Sequence, residues 1–295
     1  MATAYLFPGQ GSQFVGMGQS HYDENSEFAS YVDRANDVLG FDLKAIMFEG
    51  PQEKLKQTEF TQPAIFLHSI ALYKTLDATP DMAAGHSLGE FSALTACEAI
   101  EFDDALKIVR RRGELMQQAG ETNPGTMAAV IGMDDDAVEK VCAKATEEIG
   151  KEVIAANYNC PGQLVISGDV EAVKRAVELA KDEGCRLAKI LPVSGAFHSS
   201  LMQPAFDGLK EGLESLEISK PACPIYSNYT AEPTTDPVTI RRNVLQQLLN
   251  PVRWTQTLKN MHANGADSFV EVGPGKVLQG LVKRTLKDVE IEGYQ

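Results

Sequence analysis

Gly85-His86-Ser87-Leu88-Gly89 sets a serine between two glycines, where a short apolar run at residues 82–84 gives way to a helical pattern at residues 90–99. In that strand-turn-helix setting a GxSxG sequence forms a tight turn that exposes the hydroxyl above a helix N-terminus. Ser87 is therefore a candidate nucleophile, with a helix-capping serine as the alternative. A serine hydroxyl is a weak nucleophile near pH 7, so the chemistry needs a base. Five histidines are available. His21 and His262 lie in polar surroundings, His68 shares a helical face with Ala64, Ile65, Ala71 and Leu72, and His86 adjoins Ser87 in a turn whose neighbours point apart. His198 lies between a predicted strand ending near Leu191 and an amphipathic helix carrying Met202, Ala205, Phe206, Leu209 and Leu213. Such strand-to-helix loops are where α/β sites form, so His198 is the best candidate base, against a solvated loop histidine.

A third residue narrows the chemistry. Residues 103–117 read as a helix, and at about 100° per residue Ala105, Ile108, Val109, Leu115 and Met116 fall within roughly 60° of Arg112. Arg112 thus occupies the middle of the apolar face. Arg110 lies nearly opposite, beside Lys107, Glu114 and Gln117, and is expected to be solvated. An inward guanidinium needs an anion: either an internal carboxylate or the carboxylate of a ligand, gripped bidentately. With a nucleophilic serine, the second possibility means acyl transfer on a substrate whose acyl group is itself negatively charged, such as a dicarboxylic half-thioester.

The elements that must position these groups alternate between short apolar runs and helical patterns, the signature of an α/β architecture. Residues 3–7, 82–84 and 268–272 each end at a glycine turn before a helix. Between residues 126 and 192 the order becomes strand (127–131), helix (134–148), strand (152–157), strand (163–167), helix (170–182), strand (185–191), which is ferredoxin-like. Turn-rich sequence flanks this stretch on both sides. The expected organisation is a large subdomain of residues 1–125 and 193–295 with a parallel-sheet core, and a small inserted subdomain of residues 126–192.

Composition excludes whole classes. Against 27 basic residues stand 41 acidic ones, a net charge of −14 on 295 residues with 43% apolar content, which disfavours disorder and nucleic-acid binding. No apolar stretch approaches the roughly 18–20 residues of a membrane helix, so a cytoplasmic protein without membrane contact is expected. Cys97, Cys142, Cys160, Cys185 and Cys223 form no CxxC and no His/Cys cluster, and read as reduced packing thiols with no metal site. Gly9-Gln10-Gly11 lacks the Lys-Ser/Thr of a P-loop and the spacing of a dinucleotide site.

In combination, Phe7-Pro8-Gly9-Gln10-Gly11-Ser12-Gln13, the run from Gly85 to Glu90, Arg110-Arg111-Arg112-Gly113, Pro161-Gly162-Gln163, Ala196-Phe197-His198-Ser199, Asn250-Pro251-Val252-Arg253-Trp254 and Glu271-Val272-Gly273-Pro274-Gly275 resemble the malonyl-CoA:acyl carrier protein transacylases, nearly end to end. The resemblance implies a hydrolase-like α/β large subdomain with a ferredoxin-like insert. It implies an acylated serine at Ser87, a general base at His198 and a malonyl carboxylate clamp at Arg112. It further implies oxyanion-hole N–H groups at Gln10 and Leu88, a main-chain carbonyl at Gln247 that orients the histidine in place of an aspartate, and a specificity loop at Phe197. Malonyl-CoA and acyl carrier protein are the implied partners, in fatty-acid or polyketide synthesis. No resident cofactor is expected, and the chain is expected to be a monomer. Both partners are anionic, so a local basic surface is needed, with Arg186, Lys189, Lys276, Lys283, Arg284 and Lys287 as candidates, the last four for carrier docking. Rival readings are a serine esterase or thioesterase, which has no use for an inward Arg112, and a non-catalytic carrier-binding module.

Overall fold

The computed structural model describes residues 2–295. Ten strands form two sheets: β1 (Ala2–Phe7), β2 (Met82–Gly85), β3 (Gly125–Ile131), β4 (Val153–Cys160), β5 (Gln163–Asp169), β6 (Leu187–Ile190), β7 (Ile225–Tyr226), β8 (Pro233–Thr234), β9 (Ala266–Val272) and β10 (Glu290–Tyr294). The larger sheet has the order β10-β9-β1-β2-β7-β8, parallel except for the antiparallel β7-β8 edge.

A parallel sheet covered by helices must bury both faces, and the central strands are written accordingly. Along β1, Tyr5 and Phe7 join the core beneath one face while Ala4 and Leu6 join a second core beneath the other, with Phe269 and Trp254. The first core also holds the helix Thr58–Lys74, which is buried continuously from Thr61 to Tyr73. No helix among the described residues is long and apolar enough to cross a membrane.

The second sheet is antiparallel, in the order β4-β5-β3-β6. Its helices, Asp135–Ile149 and Val170–Asp182, enclose a separate core around Val138, Val141, Leu164, Ile166 and Val173. This is the ferredoxin-like strand order expected from the alternation of elements. Strand β4 runs to Cys160, beyond the expected end at residue 157, because its pairing with β5 continues to Cys160 opposite Gln163. The helix after Ser87 ends sooner than expected, spanning Gly89–Ala96. All five cysteines are free thiols; Cys185 is half-buried and the other four are buried.

Adjacent parallel strands β1 and β2 finish side by side, Phe7 opposite Gly85, so the loops leaving them meet at the carboxyl edge of the sheet. The β4-β5 end of the second sheet faces the same place, where a cavity of about 240 Å³ opens between the sheets.

Candidate active site

The turn after β2 is tight enough that only glycine fits at its two ends. A Cβ on Gly85 would fall 1.8 Å from the Gly89 carbonyl, and one on Gly89 would fall 2.1 Å from the Phe7 carbonyl oxygen. Held this way, Ser87 adopts φ 52°, a left-handed conformation costing a non-glycine residue about 1–3 kcal/mol. Asn228, just beyond β7, holds it there: its Oδ1 accepts from the Ser87 N–H at 2.6 Å and its Nδ2 donates to the Gly85 carbonyl at 2.7 Å.

Ser87 Oγ lies 2.9 Å from His198 Nε2. The other ring nitrogen, Nδ1, donates to the Gln247 main-chain carbonyl at 2.8 Å, which places the lone pair on Nε2 toward the serine. No aspartate completes the set; a backbone carbonyl fills that position. His198 is buried, also at positive φ (59°). Burial, reinforced by the nearby Arg112 charge, lowers its pKa to about 3, so the imidazole is neutral and able to accept a proton at pH 7.

Arg112 reaches the same hydroxyl. One terminal nitrogen donates to Ser87 Oγ at 3.1 Å and to Gln247 Oε1 at 2.9 Å, and the other donates to Gln62 Oε1 at 2.8 Å. The residue is 1% exposed, yet all these acceptors are neutral, and its Nε has no partner among the described residues. Burial pulls the guanidinium down to about 10, with the charge of Glu90 opposing, and it stays cationic at neutral pH. A buried cation met only by neutral oxygens is poised for an external anion.

Arg110 departs from the expectation of a solvated side chain. It is 18% exposed, ion-paired to Glu59 at 2.6 Å and Glu114 at 2.7 Å, and stacked over Phe41 and Phe60. The helical wheel puts it on the outer face, but residues from the neighbouring helix and loop close over that face.

Gln10, Leu88 and Phe197 all line the cavity. The N–H groups of Gln10 and Leu88 have no acceptor among the described residues, whereas the Ser87 N–H is taken by Asn228. His86 turns away, toward Asn159 Oδ1 at 2.9 Å and the Trp254 ring, and His68 is a core residue packed edge-on to Phe28. Glu271, buried near the end of β9, accepts from the N–H groups of Leu278 and Gln279 at 3.0 Å each, and so fixes the helix Val277–Thr285 that brings Val277 and Arg284 to the cavity. Lys276, Lys283 and Lys287 are exposed on or beside that helix; Arg186 and Lys189 are exposed at the β6 edge of the other sheet. Sequence reasoning missed Gln62, Asn228 and Glu90. A carboxylate inside the otherwise uncharged stretch that follows Ser87 was the available signal for Glu90.

The whole of residues 4–294 matches the acyl transferase domain family. A malonyl CoA-acyl carrier protein transacylase of Bacillus subtilis (strain 168) is 46% identical over 98% of this chain and 92% of its own length. The chain belongs to the malonyl-CoA:acyl carrier protein transacylase family. Among solved structures, an acyl carrier protein S-malonyltransferase from Vibrio cholerae superposes with a TM-score of 0.96 at 42% identity, covering 100% of this chain and 97% of that one. A malonyl-transacylase solved in complex with its type II PKS acyl-carrier protein superposes at 0.95 with 38% identity, covering 99% and 95%.

The buried ionisable groups set an acid limit for the fold. His68 and His198 have pKa values lowered from 6.5 to about 3, so below pH 6.5 the unfolded chain binds protons that the native one does not. Glu90, raised by burial from 4.5 to about 7, acts oppositely between those two values. From these three groups stability is expected to fall as the pH drops below 6.5, by roughly 1 kcal/mol per pH unit at first and about twice as steeply once Glu90 is protonated in both states. Urea titrations at pH 7, 6, 5 and 4 measure the slope; a flat profile contradicts histidines folded neutral.

Proposed function

We propose that this chain transfers a malonyl group from malonyl-CoA to the phosphopantetheine thiol of acyl carrier protein through a malonyl-serine intermediate, supplying extender units for fatty-acid or polyketide synthesis. The observation that carries this reading is one hydroxyl, Ser87 Oγ, lying 2.9 Å from a neutral imidazole and 3.1 Å from a buried guanidinium whose hydrogen-bond acceptors are all neutral. A base and an anion clamp then address the two ends of one short diacid.

In the forward half-reaction His198 Nε2 takes the Ser87 proton as Oγ attacks the thioester carbonyl, and the oxyanion develops against the N–H groups of Gln10 and Leu88. The C–S bond breaks and CoA leaves as a thiol with the proton from His198. The carrier's thiol next gives its proton to His198 and attacks the malonyl-Ser87 ester, and the proton returns to Ser87 as it departs. Arg112 grips the malonyl carboxylate throughout, and Phe197 bounds the acyl pocket. An esterase acting on neutral esters leaves the buried Arg112 without a use.

Nucleophile, base and cation are all protein side chains, which supports chemistry without a resident cofactor. Ser87, His198 and Arg112 already form a complete catalytic set within this chain, and we assign a monomeric, cytoplasmic enzyme. Arg284 at the cavity, with Lys276, Lys283 and Lys287 near it, offers the carrier a basic approach on an otherwise acidic protein. Intact-protein mass spectrometry tests the reading: malonyl-CoA alone yields a malonyl adduct, and phosphopantetheinylated carrier discharges it. An enzyme that never acquires the adduct refutes it.

A further inference from the structure

Glu90 has no part in the reaction as derived, yet it is buried in the helix that begins at the nucleophile. Its Oε2 accepts from Gln247 Nε2 at 2.6 Å and from the Asn228 N–H at 3.1 Å. Both partners lead directly to the site. Asn228 is the residue that pins the Ser87 turn. Gln247 touches nucleophile, base and clamp: its carbonyl orients His198, its Nε2 donates to the Ser87 carbonyl at 3.1 Å, and its Oε1 accepts from Arg112 at 2.9 Å.

A side-chain amide has nearly the same shape after a half-turn, but its chemistry reverses. With Oε1 toward Arg112 and Nε2 toward Glu90, Gln247 satisfies a donor on one side and an acceptor on the other. Turned over, it would set N–H against the guanidinium and oxygen against the carboxylate. The Ser87 carbonyl and the guanidinium already favour the first arrangement, and the acceptor at position 90, the shorter of the two contacts to Nε2, tightens it. Gln247 also keeps Glu90 off the guanidinium, so the carboxylate balances the buried positive charge without occupying the donors a substrate would use.

We propose that Glu90 is a positioning residue for acyl selection: by fixing the Gln247 amide, it holds the Arg112 guanidinium beside Ser87 Oγ in the pose that receives the carboxylate of the acyl group. This rests on the transacylase reading of Ser87 and Arg112.

The test compares single-turnover loading of the full-length enzyme by malonyl-CoA and by acetyl-CoA, followed by intact mass, with thermal unfolding recorded alongside. Glu90→Ala removes the shorter of the two acceptors that hold the amide nitrogen and loosens its pose, and the malonyl preference is expected to fall about tenfold. Glu90→Gln, whose amide oxygen can accept both hydrogen bonds, is expected to retain the preference within about threefold. Gln247→Met keeps the main-chain carbonyl on His198 while removing the amide; it is expected to match Glu90→Ala, and the double variant to be no worse than either. A folded Glu90→Ala enzyme with wild-type preference overturns the proposal, as does failure of Glu90→Gln to restore it. Should Glu90→Ala not fold, wild-type preference in Gln247→Met overturns it equally. Wild-type enzyme is the control for the underlying reading: no malonyl uptake there refutes the proposed function, whereas normal wild-type selectivity shared by the variants removes this inference alone.

Discussion

Ser87→Ala is expected to abolish the covalent malonyl adduct and to lower transfer to the carrier by at least about 10⁴-fold. The loss is large because the hydroxyl is the atom on which both half-reactions turn, and nucleophile and base act as a unit. The fold should tolerate the change. Alanine meets the same backbone demand as serine at φ 52°, and the Asn228 contacts that hold the turn go to the main chain at Ser87 and Gly85, not to Oγ. What disappears is one contact each to His198 and Arg112. Circular dichroism and thermal unfolding close to wild type, together with an adduct-free mass spectrum after malonyl-CoA, form the expected result. An adduct that persists in the variant places the nucleophile elsewhere.

Why some of this arrangement can be read from sequence and some cannot follows from the range of the forces involved. The Ser87 turn is written locally, in glycines whose missing side chains are replaced by backbone at 1.8 and 2.1 Å. Arg112 is legible because a 21-residue amphipathic helix has a definite apolar face on which a cation is out of place. The helix Gly89–Ala96 is buried on all sides and has no such contrast, so Glu90 does not stand out by periodicity, although a charge in an apolar stretch calls for a partner just as Arg112 does. Gln62 and Asn228 are neutral and common, and their partners lie 50 and 141 residues away along the chain. No pattern within either segment marks them. Arg110 shows the converse: its helical position alone implies solvent, and only the approach of Glu59, Phe41 and Phe60 from other segments makes it a half-buried latch. Strands β7 and β8, of two residues each, are too short to carry a periodic signal.

Arg112→Ala is expected to lower kcat/KM for malonyl-CoA by about 10²- to 10³-fold, the range typical of removing one partner from a buried charge pair. Acetyl-CoA, which offers no carboxylate, should lose far less and gain in relative terms. The geometry gives a reason for gain as well as loss. In the free site Arg112 donates to Ser87 Oγ, engaging an oxygen lone pair, and its charge adds to burial in holding down the basicity of His198. A malonyl carboxylate offsets that charge as it binds, so the correct acyl group relieves the electrostatic part of the restraint, which is smaller than that of burial, while an acetyl group leaves it in place. Alanine removes clamp and restraint together, and the selectivity ratio is squeezed from both ends. The variant leaves the amide oxygens of Gln62 and Gln247 without a donor and Glu90 without the nearby cation that opposes its protonation. Arg112→Lys separates those structural effects from recognition. It returns the positive charge but not the two-pronged grip, and its malonyl preference should fall between alanine and wild type. A malonyl-to-acetyl ratio in Arg112→Ala equal to that of the wild type would remove the clamp from the mechanism, leaving Ser87 and His198 as the parts of a serine enzyme whose acyl specificity is set elsewhere in the cavity.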